Sequence, residues 1–415
     1  MRSSRDRPAN VREHNAREKE EWCWTAVNVP DNDESTVRLM AVDKGERPSG
    51  SGLLLKSGLE RLKEGVPMKG KGLMVLLLLA AAVALCAGSG FSEQTFPDAS
   101  KDPKVTLRWG CTAPSEDLAS EAMRRVTKLV EERTGGSLKI NFFPASQLGT
   151  AMTQMEMVIN GNIDMFTEGA HYMADWGVPD SAVTSFMGQC PSKDIFAKFV
   201  QSDFYKAWED EFLRTAGVRT LASNWIRPPA ELVSKVPLYR FEDFKNLKVR
   251  SIPSEYSLAT FKAMGMNPTA VAYDEVYLAL QQGIINAAVA TFDTIYTMNF
   301  YQVAKYVLKL DLSYVNFAIW MNERKFQSLS PAQREILLKT CQEVGVWYSQ
   351  AVDQQLKSYI DKMAASGVTV IEYPQEELAK FAAAARKAAY DFEKAGKWSK
   401  GVFDKYLAVL QQLAK

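Results

Sequence analysis

The sequence predicts an α/β fold built from two similar lobes, and three observations support this prediction. From about Val105, apolar strand-like runs alternate with amphipathic helical patterns, as in proteins with mainly parallel sheets. A unit of strand, helix, glycine and strand occurs twice: the first ends with VINGNIDMFTEG (158–169), and the second is NPTAVAYDEVYLALQQGIINAAVATF (267–292). Three prolines interrupt regular structure between these halves, in the segment 224–250, which we expect to cross from one lobe to the other.

Composition narrows the classes of function. The 415 residues allow two or three domains, and a net charge of +1 gives no electrostatic case for binding nucleic acid. The histidines, His14 and His171, lie in neither an HExxH nor a paired CxxC context, so no metal and no cofactor is predicted. The five cysteines do not form a disulfide framework. One bridge among Cys111, Cys190 and Cys341 and buried free thiols both remain open.

Residues 68–90 have the three-part plan of a secretory signal peptide. Two lysines precede the apolar run Leu73–Leu85, and small residues follow it. This run is shorter than the roughly 20 residues that a membrane-spanning helix needs. We therefore predict export to the periplasm with cleavage near residues 87–90. A lipid anchor at Cys86 and an uncleaved N-terminal anchor are the alternatives.

Residues 1–67 are polar and highly charged and lack sustained periodicity, which predicts disorder. Because a signal peptide acts at the N-terminus of a chain, we expect translation to start at Met68. Residues 1–67 are then an upstream extension of the gene assignment.

The first lobe is predicted over residues 104–226. Buried strands are predicted at VTLRWG (105–110) and at SLKINFFP (137–144). The helix between them is expected to begin at Ser115 as its N-cap and to stop at two glycines. A second helix is expected to end at Gly161, ahead of the next strand.

The second lobe is predicted over residues 227–314. Its repeated unit has Asp274 as the expected N-cap and Gly283 as the expected C-cap of the helix. The C-terminal part is mostly helical, and residues 315–350 are assigned to the first lobe and 351–415 to the second.

A long helix is predicted after the second lobe. Ser330 is its expected N-cap, and Pro331 occupies the first helical position, where proline is well tolerated. The helical pattern then continues as far as about Gly367. A helix of that length is expected to lie across both lobes and brace them.

Motifs of catalysis are missing from the sequence, which lacks Gly-x-Ser-x-Gly, Walker A and GxGxxG patterns. An exported chain of two α/β lobes without reaction machinery favours binding over catalysis. Arg250 ends an apolar strand-like run, where its planar guanidinium is suited to a ligand carboxylate. From the residues alone, half of a structural ion pair is the alternative role for Arg250.

Other candidate binding residues lie near predicted strand ends, where open α/β sheets place ligands. Glu168 follows the strand IDMFT, and Tyr273 ends the strand TAVAY. A solvated loop position and core packing, respectively, are the alternatives for these two residues. Further aromatic side chains near strand ends or in loops are candidates for an apolar pocket wall: Trp109, Trp176, Trp225 and Phe292.

The chain from Val105 onward resembles the extracytoplasmic solute-binding proteins of tripartite ATP-independent periplasmic (TRAP) transporters, of the dicarboxylate-binding (DctP) type. Four stretches carry the resemblance: FPASQLG (143–149), VINGNIDM (158–165), ELVSKVPLYRFEDFKNLKVR (231–250) and MGMNPTAVAYDEVYLALQQGIINA (264–287). It implies a two-lobed periplasmic-binding-protein architecture, type II-like, with a long C-terminal helix across both lobes. Such a protein closes on an organic acid and delivers it to a membrane permease, without being an enzyme and without a cofactor.

The resemblance also assigns roles to single residues. The carboxylate-binding arginine of the family falls on Arg250, and the aromatic residue before the E-V-Y helix falls on Tyr273. Glu168 and His171 match a segment from which a sialic-acid-binding relative contacts its sugar. Two further candidates in the crossing segment match more loosely: Arg227 and Trp225.

One stretch departs from the family pattern. Many members carry a D-G-Q-E-N-P motif whose asparagine helps to hold the carboxylate, whereas this chain has NAAVAT (286–291) with Ala290 at that position. The second anchor is therefore lost, or supplied by Asn286 or Thr291. We expect a monocarboxylate with an apolar or aromatic body rather than a C4-dicarboxylate.

Two other functions remain open at this point. A secreted enzyme would use Glu168 and His171 as an acid–base pair on an organic acid. The binding protein of an ATP-driven importer would share the two-lobed plan.

Overall fold

The computed structural model describes residues 95–415, which belong to one compact unit, and two strands within the first 93 residues. These strands, β1 (Cys23–Val29) and β2 (Thr36–Val42), pair antiparallel. They lie inside the segment for which the sequence predicts disorder. The rest of that segment and the signal peptide predicted at residues 68–90 lie outside the described residues, so both stay predictions.

Strands and helices alternate through the compact unit, as the sequence predicts. The strands are β3 (Val105–Cys111), β4 (Leu138–Phe143), β5 (Met165–Gly169), β6 (Val218–Ile226), β7 (Ala230–Ser234), β8 (Lys248–Ser251), β9 (Asn267–Ala270), β10 (Ala287–Thr291), β11 (Tyr306–Ser313), β12 (Asn316–Asn322) and β13 (Thr369–Glu372). The helices are α1 (Leu118–Arg133), α2 (Ala151–Asn160), α3 (Lys193–Phe199), α4 (Asp203–Ala216), α5 (Glu255–Ala263), α6 (Val276–Gln282), α7 (Phe292–Thr297), α8 (Phe300–Val303), α9 (Glu323–Ser328), α10 (Pro331–Ala365), α11 (Gln375–Lys394) and α12 (Val402–Leu413). Short 3-10 turns lie at Ala170–Trp176, Pro179–Ser185, Phe241–Phe244 and Tyr273–Glu275.

The strands form two sheets, one for each predicted lobe. The first has the order β4-β3-β5-β12-β6, and the second has the order β13-β11-β7-β10-β8-β9. In each sheet a single strand runs against the others, β12 in the first and β7 in the second. The sheets are therefore mixed, although most of their strands share one direction, as the prediction of mainly parallel sheets requires.

The two reversed strands are the ones that follow a crossing between the sheets. β7 continues from β6 after residues 227–229, and β12 continues from β11 after residues 314–315. Each crossing strand therefore starts at the gap between the sheets and runs away from it. As a result, the carboxyl ends of the remaining strands of both sheets meet at this gap.

The predicted long helix is confirmed as α10, with Ser330 accepting a hydrogen bond from the Gln333 N–H as its N-cap. Near its middle, Tyr348 stacks on Trp225 of the first lobe, with 5.3 Å between ring centroids. Further along, Tyr359 stacks on Tyr296 of the second lobe at 4.9 Å. α10 thus packs against both lobes.

Two predicted helix starts differ from the structure. Asp117, not Ser115, caps α1 and accepts a hydrogen bond from the Ala119 N–H at 2.8 Å. Ser115 instead accepts one from the Arg124 guanidinium. A 3-10 turn precedes α6, so Asp274 is not its N-cap. The predicted C-caps Gly161 and Gly283 are both left-handed, with φ of 77° and 73°.

The last helix returns to the first lobe, which differs from the assignment of residues 351–415 to the second. α11 packs on α5 of the second lobe, but Tyr406 of α12 packs on Phe199 of α3, with 5.1 Å between ring centroids. The apolar side of α12 covers an aromatic cluster in the first lobe that would otherwise be exposed. Among the described residues, no helix is both long and apolar enough to cross a membrane.

Candidate functional site

A cavity of about 340 Å³ lies at the gap where the strand ends of the two sheets meet. Its wall includes Thr112 and Glu168 at the ends of β3 and β5, and Arg250 and Ala290 at the ends of β8 and β10. The crossing residue Arg227 also lines it. This is the position at which α/β sheets bind ligands, and the volume suits a small molecule.

Arg250 is a buried cation without an acidic partner in the described part of the chain. Its side chain is 5% exposed and lies on β8, and Nε donates a hydrogen bond to the Val271 carbonyl at 3.0 Å. No carboxylate of a described residue lies within 4.0 Å of it, and its terminal nitrogens have no hydrogen-bond partner there. Burial lowers the pKa of Arg250, but an arginine stays protonated in proteins. Glu168 is a wall acid whose charge acts on Arg250, but it makes no hydrogen bond or ion pair with the guanidinium, which is uncompensated in this sense.

Arg227 has the opposite environment. Its Nη2 donates to Thr291 Oγ1 at 2.7 Å, to Thr294 Oγ1 at 2.8 Å and to Asp293 Oδ2 at 3.1 Å. Its guanidinium also lies 4.4 Å from the ring centroid of Phe317. Burial is the largest single effect on the pKa of Arg227 and lowers it, but Asp293, Tyr348, Tyr273 and Asp117 together outweigh burial and raise the pKa. The charge of Arg227 is therefore cancelled within the protein.

Glu168 lies on the first-lobe wall of the cavity. One carboxyl oxygen accepts a hydrogen bond from the Gly169 N–H at 2.9 Å, and the other accepts one from the Thr112 hydroxyl. Burial raises the pKa of Glu168, and this effect exceeds the opposing one of those hydrogen bonds and of Arg227 and Arg250. The cavity thus contains one partly buried acid on the side of the first sheet.

His171 lies beside Glu168 in the 3-10 turn, and its ring packs on Tyr172 with 4.6 Å between centroids. Gly169 makes room for it, because a Cβ at position 169 would lie 2.3 Å from the ring. Burial, and the charges of Arg250 and Arg227, lower the pKa of His171 to about 4. The imidazole is therefore neutral at pH 7, and Nε2 is buried without a partner among the described residues.

Tyr273 and Ala290 line the cavity from the second lobe. The Tyr273 hydroxyl donates to Thr294 Oγ1 at 3.3 Å, so its polar end is turned toward the cluster around Arg227. At position 290 the wall presents a methyl group, and its neighbour Val289 adds more apolar surface. Thr291, a candidate for the missing anchor, lines the cavity but accepts the bond from Arg227 described above.

Four of the aromatic candidate residues do not line the cavity. Trp225 is fully buried beneath α10, donates from Nε1 to the Cys341 carbonyl at 2.9 Å and stacks on Tyr348. Phe292 is buried in the core of the second lobe. Trp109 is likewise in the first-lobe core, and Trp176 reaches the site only through its contact with Tyr172. Strand residues alternate between faces, so nearness to a strand end does not determine which side a ring takes.

Several important residues of the site were not among the sequence candidates. Thr112 follows β3, and the strand-end rule applied to that strand would have found it. Asp293 neutralises Arg227, but no sequence pattern indicates this pairing because the two residues are far apart in the sequence. Asp117 was not the predicted N-cap of α1. Its Oδ2 also accepts a hydrogen bond from Thr297 of the other lobe at 3.1 Å.

Residues 95–415 contain neither a cluster of metal-ligating side chains nor a disulfide bond. No group of three or more histidine, cysteine, aspartate or glutamate side chains is arranged there to hold a metal ion. Cys111, Cys190 and Cys341 are free thiols. Burial raises the pKa of Cys111 to about 12, so this thiol is not a nucleophile.

Two lobes around a cavity with one uncompensated cation define a binding protein for a small anion. The match to known sequences specifies the kind: residues 109–395 match the model of the bacterial extracellular solute-binding protein, family 7. The chain belongs to this family, which confirms the resemblance to TRAP solute-binding proteins.

Two curated relatives are each 28% identical to the chain over the aligned residues. The sialic acid-binding periplasmic protein SiaP of Vibrio cholerae is 28% identical over 279 residues, covering 67% of this chain and 86% of SiaP. The 2,3-diketo-L-gulonate-binding periplasmic protein YiaO of Escherichia coli is 28% identical, covering 64% of this chain and 80% of YiaO.

Solved structures share the fold. The sugar acid binding protein DctPAm of Advenella mimigardefordensis, in complex with galactonate, has a TM-score of 0.71 at 17% identity, with 75% of this chain and 99% of that chain covered. A TRAP periplasmic solute binding protein of Desulfovibrio salexigens with bound orotic acid has a TM-score of 0.70 at 24% identity, with 75% and 100% covered. The predicted two-lobed α/β architecture is thereby confirmed.

Proposed function

We propose that this protein is the periplasmic component of a TRAP transporter, which captures a small organic acid and delivers it to a membrane permease. The observation that carries the proposal is the uncompensated guanidinium of Arg250 in the wall of the cavity. A carboxylate offers it two parallel charge-assisted hydrogen bonds, which match the planar geometry of the fork. SiaP and YiaO, by their names, bind sialic acid and 2,3-diketo-L-gulonate.

The fold supports capture by closure of the two lobes. Contacts between side chains bridge the gap on opposite sides of the cavity: Thr297 donates to Asp117 at 3.1 Å, and Ser254 donates to Asp175 at 3.4 Å. Both of these contacts are polar hydrogen bonds between side chains, whose groups can bond to water instead when the lobes open. Closing excludes water and strengthens the charged hydrogen bonds to the ligand.

Delivery to a permease and a periplasmic location rest on the family and on the signal peptide predicted at residues 68–90. Both curated relatives are periplasmic proteins by name. Co-purification of the loaded protein with the permease encoded beside it is the expected result. A neighbouring gene for a transport ATPase, and none for a permease of the TRAP type, would instead support an ATP-driven importer.

Binding without turnover is the second part of the proposal. The family is one of solute-binding proteins, and both carboxyl oxygens of Glu168 already accept hydrogen bonds, from Thr112 and from the Gly169 N–H. We expect any bound acid to be recovered chemically unchanged after incubation. Conversion of the acid to a product would instead show an enzyme.

A thermal-shift screen against a library of organic acids tests the function. A ligand at 100 times its Kd is expected to stabilise the protein by about 2.7 kcal/mol. The matched control is Arg250→Met, which should fold but show no shift with the same acid. A library in which only cations or neutral compounds shift the melting temperature would contradict the proposal.

A further inference from the structure

The charges around the cavity leave room for one negative charge on the ligand. Arg227 is paired with Asp293, and His171 is neutral, which leaves Arg250 as the cation that is bonded to no acid among the described lining residues; Glu168 acts on it only through space. A ligand with one carboxylate satisfies this cation. A second carboxylate would need a second cation in the wall.

The first-lobe wall carries an acid rather than a second cation. Glu168 is fixed by hydrogen bonds from Thr112 and from the Gly169 N–H, so its carboxyl cannot turn away from an approaching anion without losing both. A second ligand carboxylate placed there would be desolvated beside another carboxyl group. Like charges in such a position disfavour each other strongly.

The rest of the wall is mostly apolar. It is formed by thioether, aromatic and aliphatic side chains: Met152, Met187, Phe196, Val289, Ala290 and Tyr314. Several lining hydroxyls are already bonded within the protein. Thr184 donates to the Ser181 carbonyl at 2.9 Å, and Ser257 accepts from Ser251 at 2.7 Å. A ligand with hydroxyl groups along its whole length would leave many of them unpaired, which is unfavourable in a closed cavity.

We propose that the cavity selects monocarboxylates with an apolar body, and that Glu168 is the residue that rejects a second carboxylate. This inference rests on the proposed function, because it assumes that Arg250 holds the first carboxylate. It goes further by naming the class of ligand and the residue that sets the selectivity. In this arrangement Arg250 supplies affinity, and Glu168 supplies discrimination.

Matched pairs of acids test the ligand class by calorimetry. Two pairs are suitable: 4-methylbenzoate with terephthalate, and hexanoate with adipate. In each pair the first acid ends in a methyl group, the second has a carboxylate in its place, and the rest of the skeleton is the same. We expect at least one methyl-terminated acid to bind more than about tenfold tighter than its dicarboxylate partner and than glucuronate. Tighter binding of a dicarboxylate or of glucuronate, or binding of none of the monocarboxylates, would overturn the inference.

Glu168→Gln tests the residue. The amide keeps an oxygen to accept a hydrogen bond and removes the negative charge. We expect the dicarboxylate to bind about tenfold tighter than it does to the wild type, and the monocarboxylate to change by less than about twofold. An unchanged preference between the two acids would contradict the role of Glu168.

Glu209→Gln is the matched control. Glu209 is also partly buried and bonded to a hydroxyl, that of Ser223, and burial raises its pKa to about 7, but it does not line the cavity. Its replacement should leave the preference between the paired acids unchanged. A shift of preference in both variants would show a general effect of removing a partly buried acid, and would overturn the assignment to Glu168.

The two proposals fail in different ways. If a wider library contains an acid that binds through Arg250 and that acid is a dicarboxylate or a sugar acid, the function stands and this inference falls. If no acid binds, both fall.

Discussion

Arg227 and Arg250 lie in the wall of the same cavity, and both are buried, but their surroundings differ. Arg227 meets the Asp293 carboxylate and two threonine hydroxyls. Arg250 meets one backbone carbonyl. Burial in a cavity therefore does not by itself identify an arginine as a ligand-binding cation. The distinguishing property is whether the protein supplies the counter-charge, since an uncompensated buried cation gains most from a ligand anion.

Breaking the compensated pair should have the largest effect on stability. Arg227→Met removes the cation and leaves the Asp293 carboxylate, 2% exposed, without its counter-ion. We expect a loss of about 3–5 kcal/mol in the free energy of unfolding, measured by urea denaturation. The double variant Arg227→Met with Asp293→Asn should recover much of that loss. Equal instability of the single and double variants would contradict the pairing.

Removing the uncompensated cation should affect binding instead of stability. Arg250→Met leaves only the Val271 carbonyl without a partner, so the free energy of unfolding should change by less than about 1 kcal/mol. Binding of the native acid should weaken by about 2–5 kcal/mol, measured by calorimetry. Arg250→Lys should also bind weakly, because an ammonium lacks the planar fork. Wild-type affinity in both variants would refute the carboxylate role.

The contact between the lobes offers a smaller test. Thr297→Val removes the hydroxyl that donates to Asp117, while the side chain keeps its shape. We expect ligand affinity to fall by about 1 kcal/mol, because the closed form loses one hydrogen bond to a carboxyl group. Thr215→Val is the control, since its hydroxyl bonds only to the Glu211 carbonyl on α4, within the first lobe. Affinity lost equally in both variants would argue against a bridge between lobes.

The smallest expected effect concerns the pH dependence of the free energy of unfolding. Burial raises the pKa of Asp175 to about 6 from the usual value near 4, so the folded state holds a proton more tightly than the unfolded state does. The contribution of Asp175 to stability therefore falls as pH rises from about 4 to 6 and is lost above that range. Asp175→Asn should stabilise the protein at pH 7.5 by about 1 kcal/mol, since the group is only partly buried. It should also reduce the slope of stability against pH between 4 and 6.

The sequence predicted the fold in most respects because its signals are local. Alternating strands and helices, glycine C-caps and the Ser330–Pro331 start of α10 are all properties of short segments. Arg250 was found in the same way, as a charge at the end of an apolar run. The return of α12 to the first lobe depended instead on distant packing against Phe199, which no local pattern encodes.

The site was harder to predict because it is assembled from distant parts of the chain. Trp225 and Phe292 are both near strand ends, but their rings point into the cores of the two lobes. The compensation of Arg227 needs Asp293, and the bridge between lobes needs Asp117 and Thr297. Such pairs form only when the two sheets face each other, so the composition and periodicity of the sequence do not indicate them.

The two crossings between the sheets are short, at residues 227–229 and 314–315, and they are also part of the cavity wall. Arg227, Tyr314 and Val315 belong to both. The connecting joints and the wall are thus the same few residues. A ligand that contacts the wall therefore also contacts the residues that connect the lobes. Ligand binding can change the angle between the lobes directly, without a chain of intermediate residues.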